Sequence, residues 1–527
     1  MNLSGKNYIA GELSAASQKV FQTFDPKAAE VLDQDFYEAT IEEIDLAVVE
    51  AHKAFEIYRN IPAVRRADFL RAIAREIKAI EGPMLSRYVA ESGLPMGRAQ
   101  GEMGRTIFQL NSFADHIEQG DYVRASIDHG DPKRSPAPKP DLRKMMIPIG
   151  PIAVFGASNF PLAYSTAGGD TASALAAGCP VVVKSHPMHA GTGEYIAGAI
   201  SRAVASCGMP KGVFSNLNSS GIEVAQSLVS HPQIKGVGFT GSIKGGRALY
   251  NLASKREEPI PVFAEMGSIN PVVVLPQSIA KSEERAAWAK QYAGSISLAA
   301  GQFCTNPGLI FGLKDSEFVN FGADLTHEIQ KVEAQVMLHP GIKNNFDENF
   351  KKIAEQEGVE TLVNSDTFED LTRVGPYLMQ VSGGEFLKNL ALHQEVFGPS
   401  SLLVVCDSVE ELNEIIDGLE GQLTASIIAG ELELINYAPT VEKLQNRVGR
   451  LIFNGVPTGV EVAPSMVHGG PYPASSDSRF TAVGVNAVDR WLRPFSYQDW
   501  PGELLPDALQ EDNPLEILRQ VDGNWQR

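Results

Sequence analysis

Between residues 41 and 80, apolar positions recur at three- and four-residue spacing. Ile44, Ala47, Val48, Ala51 and Phe55 form one stripe, and Phe69, Leu70, Ile73, Ala74 and Ile77 form another. That period predicts two amphipathic helices covering a sheet, and a further helical pattern spans residues 101–114. From residue 147 short apolar runs alternate with helical stretches, the signature of β-α-β units and a parallel sheet. Ile152–Phe155 reads as a buried strand. Residues 166–177 read as an alanine-rich helix closed by Gly178, with Pro180 blocking continuation and residues 181–183 forming the next strand. Lys184 then falls at a strand's C-terminal end, where open α/β sheets bind ligands. Residues 234–239 predict a third strand, running into the glycine-rich turn 240–246 and a helix from Arg247. Glycines there let a backbone approach phosphate oxygens, although the spacing is not Gly-x-Gly-x-x-Gly, and a turn without a ligand fits equally well.

Length and composition narrow the class. With 527 residues, two or three domains are expected. A net charge of −19 opposes binding to nucleic acid or anionic membrane surfaces. Residues 1–6 lack the apolar core of a signal peptide, and no apolar run of membrane-spanning length occurs, so a cytoplasmic protein is expected. The proline-rich segment 131–140 reads as a surface connection separating two structured regions. Residues 501–527, polar and containing Pro501, Pro506 and Pro514, are expected as a peripheral or partly mobile tail.

Cys179, Cys207, Cys304 and Cys406 form no Cys-x-x-Cys pair, so neither a disulfide framework nor a zinc site is indicated, and no metal is expected. Cys179 and Cys406 sit in apolar runs and read as inert core thiols. Cys304 differs, lying in the polar, glycine-flanked stretch Gly301-Gln302-Phe303-Cys304-Thr305-Asn306-Pro307-Gly308. Such a loop offers a thiol both access to substrate and stabilisation of its thiolate, so Cys304 is a candidate nucleophile.

Six ordered motifs resemble those of the aldehyde dehydrogenase superfamily, over about residues 7–500. They are Phe155-Gly156-Ala157-Ser158-Asn159-Phe160-Pro161-Leu162, Val183-Lys184, Phe239-Thr240-Gly241-Ser242, Phe263-Ala264-Glu265-Met266-Gly267, Gly301-Gln302-Phe303-Cys304 and Glu395-Val396-Phe397-Gly398-Pro399. Taken singly, Asn159 reads as a helix cap, Glu265 as a strand-end carboxylate and Glu395 as a surface charge; their joint order favours function. The resemblance implies that Cys304 attacks an aldehyde, that Asn159 and a backbone N–H near Cys304 meet the oxyanion, and that Glu265 activates the water that hydrolyses the thioester. It implies cofactor contacts at Lys184, His186, Phe155, Gly241, Ser242, Glu395 and Phe397. A base at Glu265 favours water over coenzyme A as acceptor.

The resemblance also implies an α/β aldehyde dehydrogenase fold. A Rossmann-like cofactor domain would comprise residues 1–125 and 146–266, a catalytic domain 267–455, and a small β oligomerisation element 126–145 and 480–500. A homodimer or homotetramer is expected. Lys184-Ser185-His186-Pro187 resembles the α-ketoglutaric semialdehyde and NADP-dependent fatty aldehyde dehydrogenases. Pro187 stands where a commoner pattern has a Glu that repels a 2′-phosphate, so NADP is expected ahead of NAD. Arg105, registered on the helix lining the family's substrate tunnel, would meet a substrate carboxylate, whereas a surface arginine paired with Glu102 is the plain alternative. α-Ketoglutaric semialdehyde is thus the expected substrate and a long-chain aldehyde the alternative. A cysteine hydrolase or acyltransferase would leave Lys184, Gly241 and Glu395 unexplained. An inactive structural homologue would have no use for Cys304, Glu265 and Asn159 together.

Overall fold

A computed structural model describes residues 3–365 and 370–527. Two seven-stranded sheets and one five-stranded sheet form its frame. In the first sheet Val262–Glu265, Gly236–Thr240, Ile152–Phe155, Val181–Lys184 and Phe214–Leu217 run parallel, and Asn7–Ile9 and Glu12–Ser14 complete one edge. Its parallel strands are rich in Val and mostly buried because helices cover both faces. Ile41–Tyr58 and Ala63–Ala79 are those helices' N-terminal members, and every residue of the two apolar stripes is buried. Thr40 closes the first with a capping box to Glu43.

Some expected boundaries shift. The alanine-rich helix is Gly169–Ala177, ending on left-handed Gly178 as read from the sequence, but residues 166–168 are not helical. The helix after the glycine-rich turn begins at Ile243 rather than Arg247, because the Ser242 hydroxyl accepts from the Gly245 N–H and starts it four residues earlier.

The second sheet orders Glu360–Val363, Tyr377–Ser382, Ser400–Cys406, Leu309–Leu313, Val272–Val274, Gln422–Ile428 and Val448–Phe453, all parallel except the first. The third sheet joins Leu492–Gln498, Leu142–Pro148 and Ser126–Asp128. Residues 131–140 are therefore the exposed connection inside this sheet, not a separator of two regions. Residues 501–527 do not simply trail away. Arg519–Val521 pairs parallel to Ser126–Asp128, Asn524–Gln526 forms the edge, and Leu505, Leu509 and Ile517 are buried beneath. No helix among the described residues is long and apolar enough to cross a membrane.

Candidate active site

The chemistry-bearing side chains meet where the strand ends of the first sheet face the loops of the second. Glu265 closes the strand Val262–Glu265, Asn159 follows Ile152–Phe155, and Cys304 lies between the helix Ser282–Ser297 and the strand Leu309–Leu313. The turn before Cys304 is unusual in having three successive left-handed residues, Ala299, Ala300 and Gly301. Gly301 admits no side chain, since a Cβ there would stand 2.2 Å from the Gly398 carbonyl oxygen. Asn270, itself left-handed, holds the loop in place: its Nδ2 donates to the carbonyls of Cys304 (2.8 Å) and Asn306 (2.9 Å), and its Oδ1 accepts from Ser268 and Thr424.

Asn159 Nδ2 donates to the Gln302 carbonyl at 2.9 Å, tying the strand-end loop to the cysteine loop. Glu102, buried, fixes that strand-end loop by accepting from the N–H groups of Leu162 (2.8 Å) and Ala163 (2.9 Å). The structure thus brings Cys304, Glu265 and Asn159 together, and adds a residue the motifs did not single out. His468 Nε2 lies 3.6 Å from Cys304 Sγ and 3.4 Å from Glu265 Oε1, and all three side chains are largely or wholly enclosed. The only sequence signal was a lone His before Gly469-Gly470. The three donor atoms fall within 4.8 Å of one another, close enough to share a metal ion as well as a proton.

Electrostatics oppose a free thiolate here. Burial raises the Cys304 thiol well above its ordinary range, and the carboxylates of Glu265 and Glu395 push the same way. Burial also lifts Glu395 to about 7, with the Ser268 N–H opposing and the Glu265 charge adding to the rise. Glu395 packs so closely on Gly267 that a Cβ there would lie 2.2 Å from its Oε2.

Phe155, Lys184, His186, Gly241 and Ser242 line a separate cavity of about 630 Å³ at the strand ends of the first sheet. Lys184 makes no ion pair within 4 Å among the described residues, and burial lowers its amine to about 8, with the more distant Glu38 partly offsetting. An unpaired buried amine, a helix N-terminus and a glycine turn in one cavity suit a dinucleotide phosphate or ribose. His186 accepts from the Met188 N–H and stacks on His189 at 4.9 Å. Its imidazole is driven well below the ordinary histidine range by burial first, then by His189 and Lys184. It therefore meets a ligand as a neutral group. The turn contributes His186 and Met188 to the cavity wall, and Pro187 between them is not part of it. Glu395 and half-buried Phe397 lie outside that wall, and Glu395 is on the side of Cys304 and Ser268.

A second cavity, about 280 Å³, opens directly on Cys304 and is walled by Arg98, Arg105, Phe160, Tyr164 and Phe303. Arg105 is one of its lining residues. Its Nη1 donates to the Val460 carbonyl and its Nη2 to the Tyr164 hydroxyl at 3.2 Å.

Comparisons with known proteins agree with this geometry. The sequence matches the Aldehyde dehydrogenase family over residues 13–480. It is 45% identical over 524 residues to alpha-ketoglutaric semialdehyde dehydrogenase 2 of Azospirillum brasilense, covering 99% of each chain. It is 42% identical to the alpha-ketoglutaric semialdehyde dehydrogenase of Acinetobacter baylyi, covering 99% of this chain and 98% of the relative. Betaine aldehyde dehydrogenase from Staphylococcus aureus, solved with NAD+, shares the fold with a TM-score of 0.80 at 20% identity over 95% of this chain and 98% of that one. With the Cys304 loop, the strand-end carboxylate and the Lys184 cavity in one frame, the chain belongs to the aldehyde dehydrogenase family, the NAD(P)-dependent oxidoreductases of aldehydes.

Proposed function

We propose that this protein oxidises α-ketoglutaric semialdehyde to 2-oxoglutarate through a thioester on Cys304. The observation that carries this reading is a cavity that ends on an enclosed cysteine and is walled by two arginines, in a chain whose near-full-length relatives bear that substrate's name.

The raised Cys304 thiol needs a proton acceptor, and His468 Nε2 is the basic atom beside it. Proton transfer to that nitrogen leaves a thiolate to attack the aldehyde carbon. The Asn159 amide, one N–H of which is anchored on Gln302, presents its other N–H to the new oxyanion together with a backbone N–H near Cys304. The nicotinamide cofactor, when bound, supplies the hydride acceptor. Glu265 then takes a proton from water, which adds to the thioester carbon and releases the acid and the thiol.

When the cofactor binds, Lys184 would hold the adenosine ribose and a 2′-phosphate, His186 would add a neutral donor, and Phe155, Gly241 and Ser242 would shape the phosphate wall. Glu395 and Phe397 would hold the nicotinamide ribose. NADP is preferred to NAD because, among the described residues, no carboxylate lines the Lys184 cavity to repel a 2′-phosphate. Exposed Trp500 and Trp525, on and next to the third sheet, support its use in forming a homodimer or homotetramer.

The reading is tested by comparing kcat/KM for α-ketoglutaric semialdehyde, succinic semialdehyde and a fatty aldehyde with each cofactor. The first aldehyde is expected to lead; a preference for the fatty aldehyde overturns the assignment.

A further inference from the structure

We infer that Arg98 is the residue that receives the substrate's distal carboxylate, with Arg105 acting beside it through charge and through the loop it holds. The inference rests on the proposed reading of the substrate as an aldehyde acid.

Arg98 and Arg105 are seven residues apart on the helix Met96–Gln119, so both face the Cys304 cavity. Their circumstances differ. Arg105 has both terminal nitrogens engaged by Val460 and Tyr164. Arg98 is held more loosely: among the described residues the Nε of both arginines is buried without a hydrogen-bond partner, while Arg98 pairs with Glu102 at 3.7 Å and interacts with the Tyr88 hydroxyl. Glu102 is already engaged elsewhere, accepting from Tyr88 Oη at 2.6 Å on one oxygen and from two backbone N–H groups on the other. The Arg98 charge is held by aromatic faces instead, 4.3 Å over Phe160 and 5.0 Å over Phe303.

Those two rings set the position of the guanidinium relative to the chemistry. Phe160 follows Asn159 in the chain and Phe303 precedes Cys304, and the rings pack edge to face at 5.5 Å. The cation is therefore placed by the neighbours of the nucleophile and of the oxyanion donor. An aldehyde acid with its carbonyl at the thiol would find this cation in the same cavity, whereas an acyl chain would meet a charge there. Gly97 and Gly101 on the same helix also line this cavity, and a Cβ at either would touch nothing within 4 Å. Helix packing does not require them, although each costs about 1 kcal/mol relative to Ala. Their effect is to leave the space around Arg98 open to a planar carboxylate, which a guanidinium binds through two parallel N–H groups.

The test uses the full-length enzyme with saturating cofactor, and Arg98→Met and Arg98→Lys variants. Substrates are α-ketoglutaric semialdehyde, glutaric semialdehyde and pentanal. Arg98→Met should lower kcat/KM on both aldehyde acids by about 10- to 100-fold, mainly through KM. The loss on pentanal should be no more than about threefold, from poorer packing on the two rings. Arg98→Lys should recover part of the loss on the acids. As a readout without turnover, glutarate should protect Cys304 from iodoacetamide in the wild type and not in Arg98→Met. Equal losses on charged and neutral aldehydes, or undiminished protection by glutarate, overturn the inference while leaving the substrate reading standing. A wild type that gains nothing from a carboxylate on the aldehyde overturns the substrate reading, and the inference with it.

Discussion

His468 Nε2 stands 3.6 Å from Cys304 Sγ in a setting where burial and two carboxylates disfavour the thiolate. A positioned base contributes about 10²- to 10⁴-fold to such a step. His468→Asn should therefore slow alkylation of Cys304 by iodoacetamide at pH 7.5, and lower kcat/KM on every aldehyde, by about 10²-fold. Because the thiol is raised, the wild-type alkylation rate should climb from pH 7 to beyond pH 9 without a neutral plateau. Unchanged alkylation in the variant removes His468 from the proton path.

The proposed contact of Lys184 with the 2′-phosphate predicts a pH-dependent cofactor choice. With its amine lowered to about 8, it is charged below that pH and neutral above it. NADP should lose affinity as pH rises through 8 to 9, by about tenfold, while NAD, lacking the 2′-phosphate, changes less. Fluorescence titration of each cofactor at pH 7 and 9 checks this. Parallel pH profiles place the phosphate away from Lys184.

Arg105 should matter most for charged substrates. Arg105→Leu is expected to lower kcat/KM on α-ketoglutaric semialdehyde by at least about tenfold, with a smaller loss on pentanal. An equal loss on both assigns Arg105 to holding Val460 and nothing more.

Asn270 illustrates what local sequence could not convey. It anchors the carbonyls of Cys304 and Asn306 from 34 and 36 residues away. Asn270→Ala leaves those buried acceptors unpaired and should cost about 2–4 kcal/mol of stability, seen as a lower thermal midpoint. It should also lower kcat by loosening the nucleophile loop.

Much of the fold was legible because burial on one face imposes a period: the stripes at Ile44–Phe55 positions and Phe69–Ile77 positions, and the valine-rich strands, were readable for that reason. Motif order brought out Cys304, Glu265 and Asn159, which the structure gathers at one cleft. His468 escaped because its partners are 164 and about 200 residues distant, and a lone histidine in a glycine-rich loop has no period to betray it. The last 27 residues misled for a similar reason. Their polar, proline-containing composition suggested a tail, yet Arg519–Val521 finds its hydrogen bonds on Ser126–Asp128, a pairing that only the folded chain reveals. Pro187 was placed by its spacing to Lys184, and the short turn around it presents His186 and Met188 to the cavity.

The central claim is the two-stage use of Cys304 and Glu265, and the most direct test is a single-turnover experiment on Glu265→Gln. Mixed with α-ketoglutaric semialdehyde and NADP, the variant should give a burst of at most one reduced cofactor per active site. Mass spectrometry should find the acyl group on Cys304, since oxidation precedes the water step that Glu265 serves. Steady turnover at the wild-type rate, or a burst with no acyl adduct on Cys304, would contradict the account.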